Sequence, residues 1–417
     1  MSRLLLLLPT TTYRTEAFLN AAAKLGVEIT VASGRGQALT DQQPTTNLTL
    51  DFLNPEAAAR RVVDFSEKVP IDAAVGVDDD TTVLAAVIAK ALSLPHNSVS
   101  SVSAAKNKHL MRELLRTGGV PVPRFALYSV DDNPELIART VSYPCVVKPL
   151  ILAASRGVIR ANNEGEFIAA FQRVLKILEQ PDVSARGSLS RNILVEEFIP
   201  GQEVALEGLL RNGKLELLAL FDKPDPLDGP FFEETIYVTP SRLPSSVQSA
   251  IVETTRRASG ALGLREGPVH AELRVNPQGP WVIEIAARSI GGLCSRALRF
   301  VSGMSLEEII LRHAFGWGVS SLERERQAAG VMMLPIPSAG ILTEVRGQPE
   351  AKAVPGIEEI AITAHITQEL VPLPEGAAYL GFIFARGETP QEVEAALREA
   401  HRRLEFVITP ASEAKIS

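Results

Sequence analysis

Two cysteines in 417 residues, Cys145 and Cys294, stand too far apart for a metal-type spacing. A disulfide framework and a thiolate metal site are thereby excluded, neither cysteine stands out as a nucleophile, and a reduced, cytoplasmic setting is expected. No basic block interrupts a formal net charge of −7, which speaks against a nucleic-acid surface and for a small-molecule substrate. No apolar stretch approaches the ~20 residues that span a bilayer, so no membrane partner is expected. The N-terminal "RLLLLLP" lacks a small-residue cleavage site after its leucines and reads as a buried strand. It is followed by "PTTTYRT" where a dinucleotide site would carry G-x-G-x-x-G. The hydroxyls of that turn either cap the next helix or meet an anion there. No internal repeat and no low-complexity segment is seen.

What is present is an alternation of strand and helix signals through about residue 100, which implies a parallel sheet. The acidic "DDD" at 78–80 sits between a strand and a helix and reads as turn and cap chemistry. A helix is expected from about 103 to 117, stopping at Gly118-Gly119. In "YPCVVKPLILAASRGVIRANN" a short β-rich run delivers Lys148 into a loop that returns as a second strand. A lysine there either uses its charge or snorkels from a strand end. Further on, a hairpin turns at Asn212-Gly213. "SIGGLCSRALRF" starts glycine-rich and is expected to become helical, and from about 330 short strands and a helix over 390–403 suggest a separate small α+β unit. At length/150, two or three domains are expected.

One stretch reads as chemistry on a strand. In "VHAELRV" (269–275) and "WVIEIAAR" (281–288), separated by "NPQGP", apolar and polar residues alternate, which predicts an antiparallel hairpin with a longer loop. If Val275 opposes Trp281, Glu272 falls opposite Glu284 and His270 opposite Ala286, with Val282, Glu284, Ala286 and Arg288 on one face. Like charges facing across a strand pair destabilise it unless a counter-charge is present. A divalent cation such as Mg²⁺ would serve, with Arg288 holding a phosphate or carboxylate bidentately. The alternative is an outer sheet face with two solvated glutamates.

Lys108 ahead of "GGVPVP", Lys148 in "YPCVVKP", "VEEFIPGQEVALEG" and the "AEL…IEIAAR" hairpin, in this order, resemble the ATP-grasp superfamily over roughly residues 1–315. "GILTEVRG", "PLPEG" and "YLGFIFARG" resemble the terminal domain of its L-amino-acid ligase branch. The resemblance implies mixed α/β and α+β architecture: an N-terminal Rossmann-like parallel-sheet domain (1–100), a two-lobed core (101–320, smaller lobe about 120–195, larger lobe about 196–320) and a C-terminal α+β unit (321–417). It implies that Lys108 and Lys148 neutralise ATP phosphates, covered by the loop carrying Ser155, Arg156 and Gly157. It further implies that Glu196, Glu197, Phe198 and Ile199 form the hinge beside adenine, with Glu196 at its amino edge, and that Glu203 meets the ribose. Glu272 and Glu284 would bridge Mg²⁺ or Mn²⁺, and Arg288 would hold the reacting group. Gly291 and Gly292 either admit substrate beside Arg288 or simply start a helix. His270 is either a base for the incoming amine or a neutral polar-face residue. Ala286 departs from the pattern, since many relatives have a metal-ligating Asn there.

The implied activity is ATP-dependent ligation of a carboxylate to an amine through an acyl phosphate, first of all on L-amino acids, by a soluble enzyme for which a homodimer is a reasonable default. Two alternatives stand beside it. One is carboxylation resembling biotin carboxylase, against which the lack of a long carboxylase-type C-terminal segment and of a biotin-carrier motif counts. The other is a nucleotide-binding regulatory protein without turnover, which Ala286 favours.

Overall fold

A computed structural model describes residues 1–34 and 46–410 of the chain. The leucine run forms strand Arg3–Leu8, inside a four-stranded parallel sheet flanked by Glu28–Ser33 and Ala73–Gly76, with Asn47–Thr49 at the edge. Its side chains alternate between two apolar layers. Leu5 and Leu7 pack on helices Pro55–Ser66 and Asp79–Ala91, while Leu4, Leu6 and Leu8 share a core with helix Thr15–Leu25 and with Leu306, Ile309 and Ile310 from far along the chain. A strand covered on both faces has no polar side to display, which is why it reads as unbroken leucine. The hydroxyls of "PTTTYRT" do not cap helix Thr15–Leu25; its N-cap is Arg14, whose guanidinium is buried.

The expected helix over 103–117 is two helices, Val99–Lys106 and Lys108–Thr117. Asn107 separates them, its side chain accepting from the N–H groups of His109 and Leu110 at 3.1 and 3.2 Å. That local bond offers the backbone an alternative to the helical one, and it makes Lys108 the first residue of the second helix. Likewise "SIGGLCSRALRF" forms only a short 3₁₀ turn, Cys294–Ala297.

A small antiparallel sheet runs in the order Phe125–Ser129, Asn192–Glu197, Cys145–Pro149, Ile159–Ala161, backed by helix Glu164–Leu178. The largest sheet has eight strands: Gly279–Ala286, Gly267–Asn276, Gln202–Arg211, Lys214–Asp222, Ile236–Thr239, Ala328–Leu334, Gly381–Gly387 and Ile357–Ile362. Three strands beyond residue 321 therefore continue the sheet of the core, and the rest form a three-stranded sheet of their own. Asn212 and Gly213 turn the hairpin with φ of 52° and 82°, the left-handed pair that a two-residue turn requires.

The glutamate hairpin differs in detail from its expected register. Asn276 pairs with Gly279, so the turn is Pro277-Gln278, and Val275 faces Pro280, not Trp281. A bulge opposite Glu272/Leu273 then takes up one residue at Ile283 and restores Glu272 to Glu284 and His270 to Ala286. The alternation breaks with it: Val282 is buried in the same apolar cluster as Ile285 and does not share the face of Glu284. Bulges re-aim side chains where pairing alone would not.

Candidate active site

Lys148 pairs in register with Leu194, so Glu196, two residues on, lies on the same face of the small sheet. The Lys148 Nζ is 2.5 Å from Glu196 Oε2, and Arg112 donates its Nε to Oε1 at 2.6 Å. Arg112, fully buried, also donates to the carbonyl of the bulge residue Ile283 at 2.6 Å. This one guanidinium ties the small sheet to the hairpin. Burial works against the Glu196 charge, but Arg112 and Lys148 outweigh it and bring the carboxyl down to about 2. Burial, helped by the Arg112 and Lys108 charges, brings Lys148 to about 8 against the pull of Glu196. The Glu196 side chain thus holds cations and does not face outward as an adenine contact. The hinge amides are likewise engaged, Glu197 donating to the Arg124 carbonyl and Phe198 to that of Pro144. Glu197's carboxylate turns to exposed Arg124 at 3.1 Å. Phe198 lies under Arg160 and Arg274, 4.1 and 4.8 Å from the ring centre, and the Ile199 carbonyl accepts from Arg274 at 3.0 Å.

Lys108 donates to the Leu152 carbonyl at 2.8 Å and sits 3.2 Å from Glu284. Across the strand pair, Glu272 faces Lys223 at 3.4 Å and His270 Nε2 at 3.3 Å. The counter-charges that the hairpin demands are therefore present as ammonium groups. Lys223 also binds Glu203 at 2.8 Å and Glu234, and Arg274 holds the second Glu203 oxygen at 2.9 Å. His270, read from the sequence as either a base or a neutral polar-face residue, lies between two carboxylates. Burial opposes its charge, yet Glu207 at Nδ1 and Glu272 at Nε2 raise it to about 9 and favour the charged ring, both of whose nitrogens face carboxylates. Glu207 further accepts the Ile290 N–H at 3.0 Å.

Arg288 forms a fork with Asp79, 3.0 Å from Nε and 3.1 Å from its Nη2 nitrogen. Burial disfavours the Asp79 charge, but Arg288 prevails and holds the carboxyl at about 2. The acidic triplet is thus more than cap chemistry: Asp78 caps, Asp79 takes Arg288, and Asp80 takes Lys106 and Arg186. Beyond Arg288, a side chain on Gly291 would meet open space. One on Gly292, whose φ is +59°, would come within 2.9 Å of the Phe382 ring. In the loop expected over phosphate, Ser155 stands at φ +55° and half-buried. Arg156 binds Asp182 at 2.6 Å and the Glu375 carbonyl at 2.9 Å, and the Gly157 N–H donates to the Pro374 carbonyl at 2.8 Å. Both are committed to neighbouring protein groups.

Sequence reading thus passed over Arg112, Asp79, Glu207, Lys223, Glu234 and Arg274 as site residues. Lys223 carried a usable signal: like "CVVKP", "LFDKP" sets a lysine directly before proline at the end of a largely apolar run. Hard carboxylate oxygens are the donors that Mg²⁺ or Mn²⁺ takes, and Glu272 is held ionised at about 2, Lys223 and His270 outweighing burial. The donor set of Glu272 and Glu284 fits such an ion.

Three family descriptions match in succession: an ATP-grasp N-terminal domain over 19–96, an ATP-grasp domain over 141–297, and an L-amino acid ligase C-terminal domain over 332–409. The chain belongs to the ATP-grasp superfamily. Within it the chain falls in the L-amino-acid ligase branch: it superimposes on an L-amino acid ligase from Bacillus licheniformis with a TM-score of 0.84 at 25% identity, covering 98% of this chain and 99% of that one. Among curated relatives, an alanine–anticapsin ligase of Bacillus subtilis is 25% identical over 61% of this chain and 56% of its own length. A dapdiamide A synthase of Enterobacter agglomerans is 30% identical over 50% and 48%. The chain spans about half the length of these curated relatives.

Proposed function

We propose that the protein is an ATP-dependent carboxylate-amine ligase whose carboxylate substrate is an L-amino acid. The observation that carries this reading is the convergence of Lys108, Lys148, Glu272, Glu284 and Arg288 where the small sheet, a helix start and the bulged hairpin meet. The relatives named for alanine–anticapsin ligation, dapdiamide A synthesis and L-amino acid ligation support the substrate class. A carboxylate oxygen attacks the γ-phosphorus of ATP, ADP departs, and an acyl phosphate forms. The amine nitrogen then attacks the acyl carbon, phosphate departs, and the nitrogen gives up a proton. This is catalysis by positioning and charge neutralisation.

Each cation of the site leaves a carboxylate partner to do so. Lys148 exchanges part of its contact with Glu196 for phosphate oxygens, Lys108 that with Glu284, and Arg288 exchanges Asp79 for the reacting carboxylate, whose geometry its fork matches. Mg²⁺ or Mn²⁺ held on Glu272 and Glu284 would supply further neutralisation of phosphate charge. Closure of the small lobe keeps water from the acyl phosphate. Ala286, buried and without a ligand atom, favours a second reading, a nucleotide-binding protein without turnover. Release of ADP and phosphate from Mg-ATP across L-amino acids, singly and in pairs, separates the two. Pair-dependent release with a condensation mass in the products supports the ligase; bound ATP with no stimulation by any amino acid supports the alternative.

A further inference from the structure

Arg14 sits in the hydroxyl-rich turn after the first strand, and it is only 1% exposed. Its Nη1 donates to the Val77 carbonyl at 2.9 Å and its Nη2 to Ser289 Oγ at 2.6 Å, while Nε meets no acceptor among the described residues. Glu307 Oε1 lies 3.7 Å from Nη2, beyond hydrogen-bond reach. Stability alone gives little reason for such a residue: a buried guanidinium with a donor unfilled is costly, and an apolar side chain could pack the same space.

Its two hydrogen bonds end on either side of the Arg288–Asp79 fork. Val77 lies two residues before Asp79, and Ser289 directly follows Arg288. The Ser289 carbonyl in turn accepts from Arg288 Nη1 at 3.0 Å. Arg288 therefore ties one nitrogen, Nη1, to neighbouring backbone and turns the other two, Nε and Nη2, to Asp79.

We propose that Arg14 is a positioning residue for the ligation step: it fixes Ser289, and through the Ser289 carbonyl the Arg288 guanidinium, while Nε and Nη2 pass from Asp79 to the reacting carboxylate. The inference rests on the ligase reading and goes beyond it in giving Arg14 and Ser289 a part in the reaction. During that exchange the fork is open and helix Asp79–Ala91 no longer holds Arg288. Arg14 still joins Val77 to Ser289, so the spacing of the two segments outlasts the fork. A shift of about 1 Å at the reacting centre can cost roughly 100-fold in rate. A cavity of about 120 Å³, lined by both Arg14 and Arg288, adjoins the pair. It gives Arg288 room to drift once its anchor is lost, and a small cation room to enter when Arg14 is cut back.

Steady-state ADP release by the full chain, with ATP and the accepted amino acids, reads the effect. Ser289→Ala is expected to lower kcat about tenfold and Arg14→Ala roughly 100-fold, both with the KM for ATP little changed. Guanidinium chloride, far below denaturing concentration, should raise kcat of Arg14→Ala severalfold and leave wild type unchanged, whereas sodium chloride at the same concentration should do neither. A residue that only supports folding would show neither the split between kcat and KM nor the rescue. Ser289→Ala removes a single oxygen and decides the question even if Arg14→Ala fails to fold. Full kcat in Ser289→Ala, or a folded Arg14→Ala that binds ATP normally and is not rescued, overturns the proposal and leaves the ligase reading standing. A wild type that releases no ADP in response to any amino acid removes the ligase reading, and the proposal with it.

Discussion

Glu196 sits between two buried cations, Arg112 and Lys148, which hold its carboxyl ionised, and it in turn favours the charge on Lys148. Replacing it with glutamine leaves Arg112 and Lys148 facing each other without a counter-ion, which costs about 3 kcal/mol of stability by the precedent of broken buried pairs. A chemical denaturation series on Glu196→Gln reads this directly. The pH dependence has a definite sign. The Glu196 carboxyl lies at about 2 in the folded chain against an ordinary 4.5, so its contribution is complete above about 4.5 and is lost as pH falls toward 2. Wild type should lose stability over that window and Glu196→Gln should lose less. Arg288 has a kinetic signature instead: Arg288→Met should lower kcat by roughly 100-fold, as removal of one charge-stabilising donor does, with the KM for ATP little changed. At this scale the sequence showed lysines out of place in apolar strands but not their partners. Asp79 looked like a cap because its neighbours fit one; its partner Arg288 lies 209 positions away.

Two elements owe their functional form to a single residue. Asn107 interrupts what would otherwise be one helix and places Lys108 at a helix start, its Nζ reaching both Leu152 and Glu284. Asn107→Ala should cost about 1 kcal/mol, the usual worth of an N-cap, and should weaken ATP binding alongside; thermal unfolding and nucleotide titration of the same sample check both effects. The hairpin bulge at Ile283 is the second case. Alternation alone led to the correct pairing of Glu272 with Glu284 from an incorrect one of Val275 with Trp281, because the tight Pro277-Gln278 turn and the bulge offset each other. Periodicity reveals that two strands pair and which residues share a face over a few positions. It carries no mark of the extra residue here, because Ile283 is itself apolar and continues the run from Trp281 and Val282.

Across the whole molecule, the N-terminal parallel sheet was legible because its leucine strand must be covered on both sides. The C-terminal stretch was less so. That it forms a small α+β unit was readable, but not how the unit joins the core: Ala328–Leu334 pairs directly with Ile236–Thr239 and extends the core sheet. Sheet order between segments so distant is set by tertiary packing and leaves no local trace. The same stretch also reaches the small sheet's helix Glu164–Leu178, where Glu375 pairs with Arg173 at 2.5 Å, and the neighbouring loop, where Pro374 accepts from Gly157. Removing residues 328–417 would open the edge of Ile236–Thr239 and strip cover from Ile236 and Val238. An unpaired apolar edge promotes aggregation, so the truncated chain is expected to be insoluble or to bind hydrophobic dye, as size-exclusion chromatography and dye fluorescence would report.

The most direct measurement of the central claim follows an oxygen atom. With an accepted L-amino acid labelled with heavy oxygen in its carboxylate, the ligase mechanism carries one labelled oxygen into the released phosphate, because that oxygen attacks the γ-phosphorus and leaves with it. Mass spectrometry of the phosphate should show label transferred in step with amide product. Amide formed with unlabelled phosphate would contradict acyl-phosphate chemistry at this site.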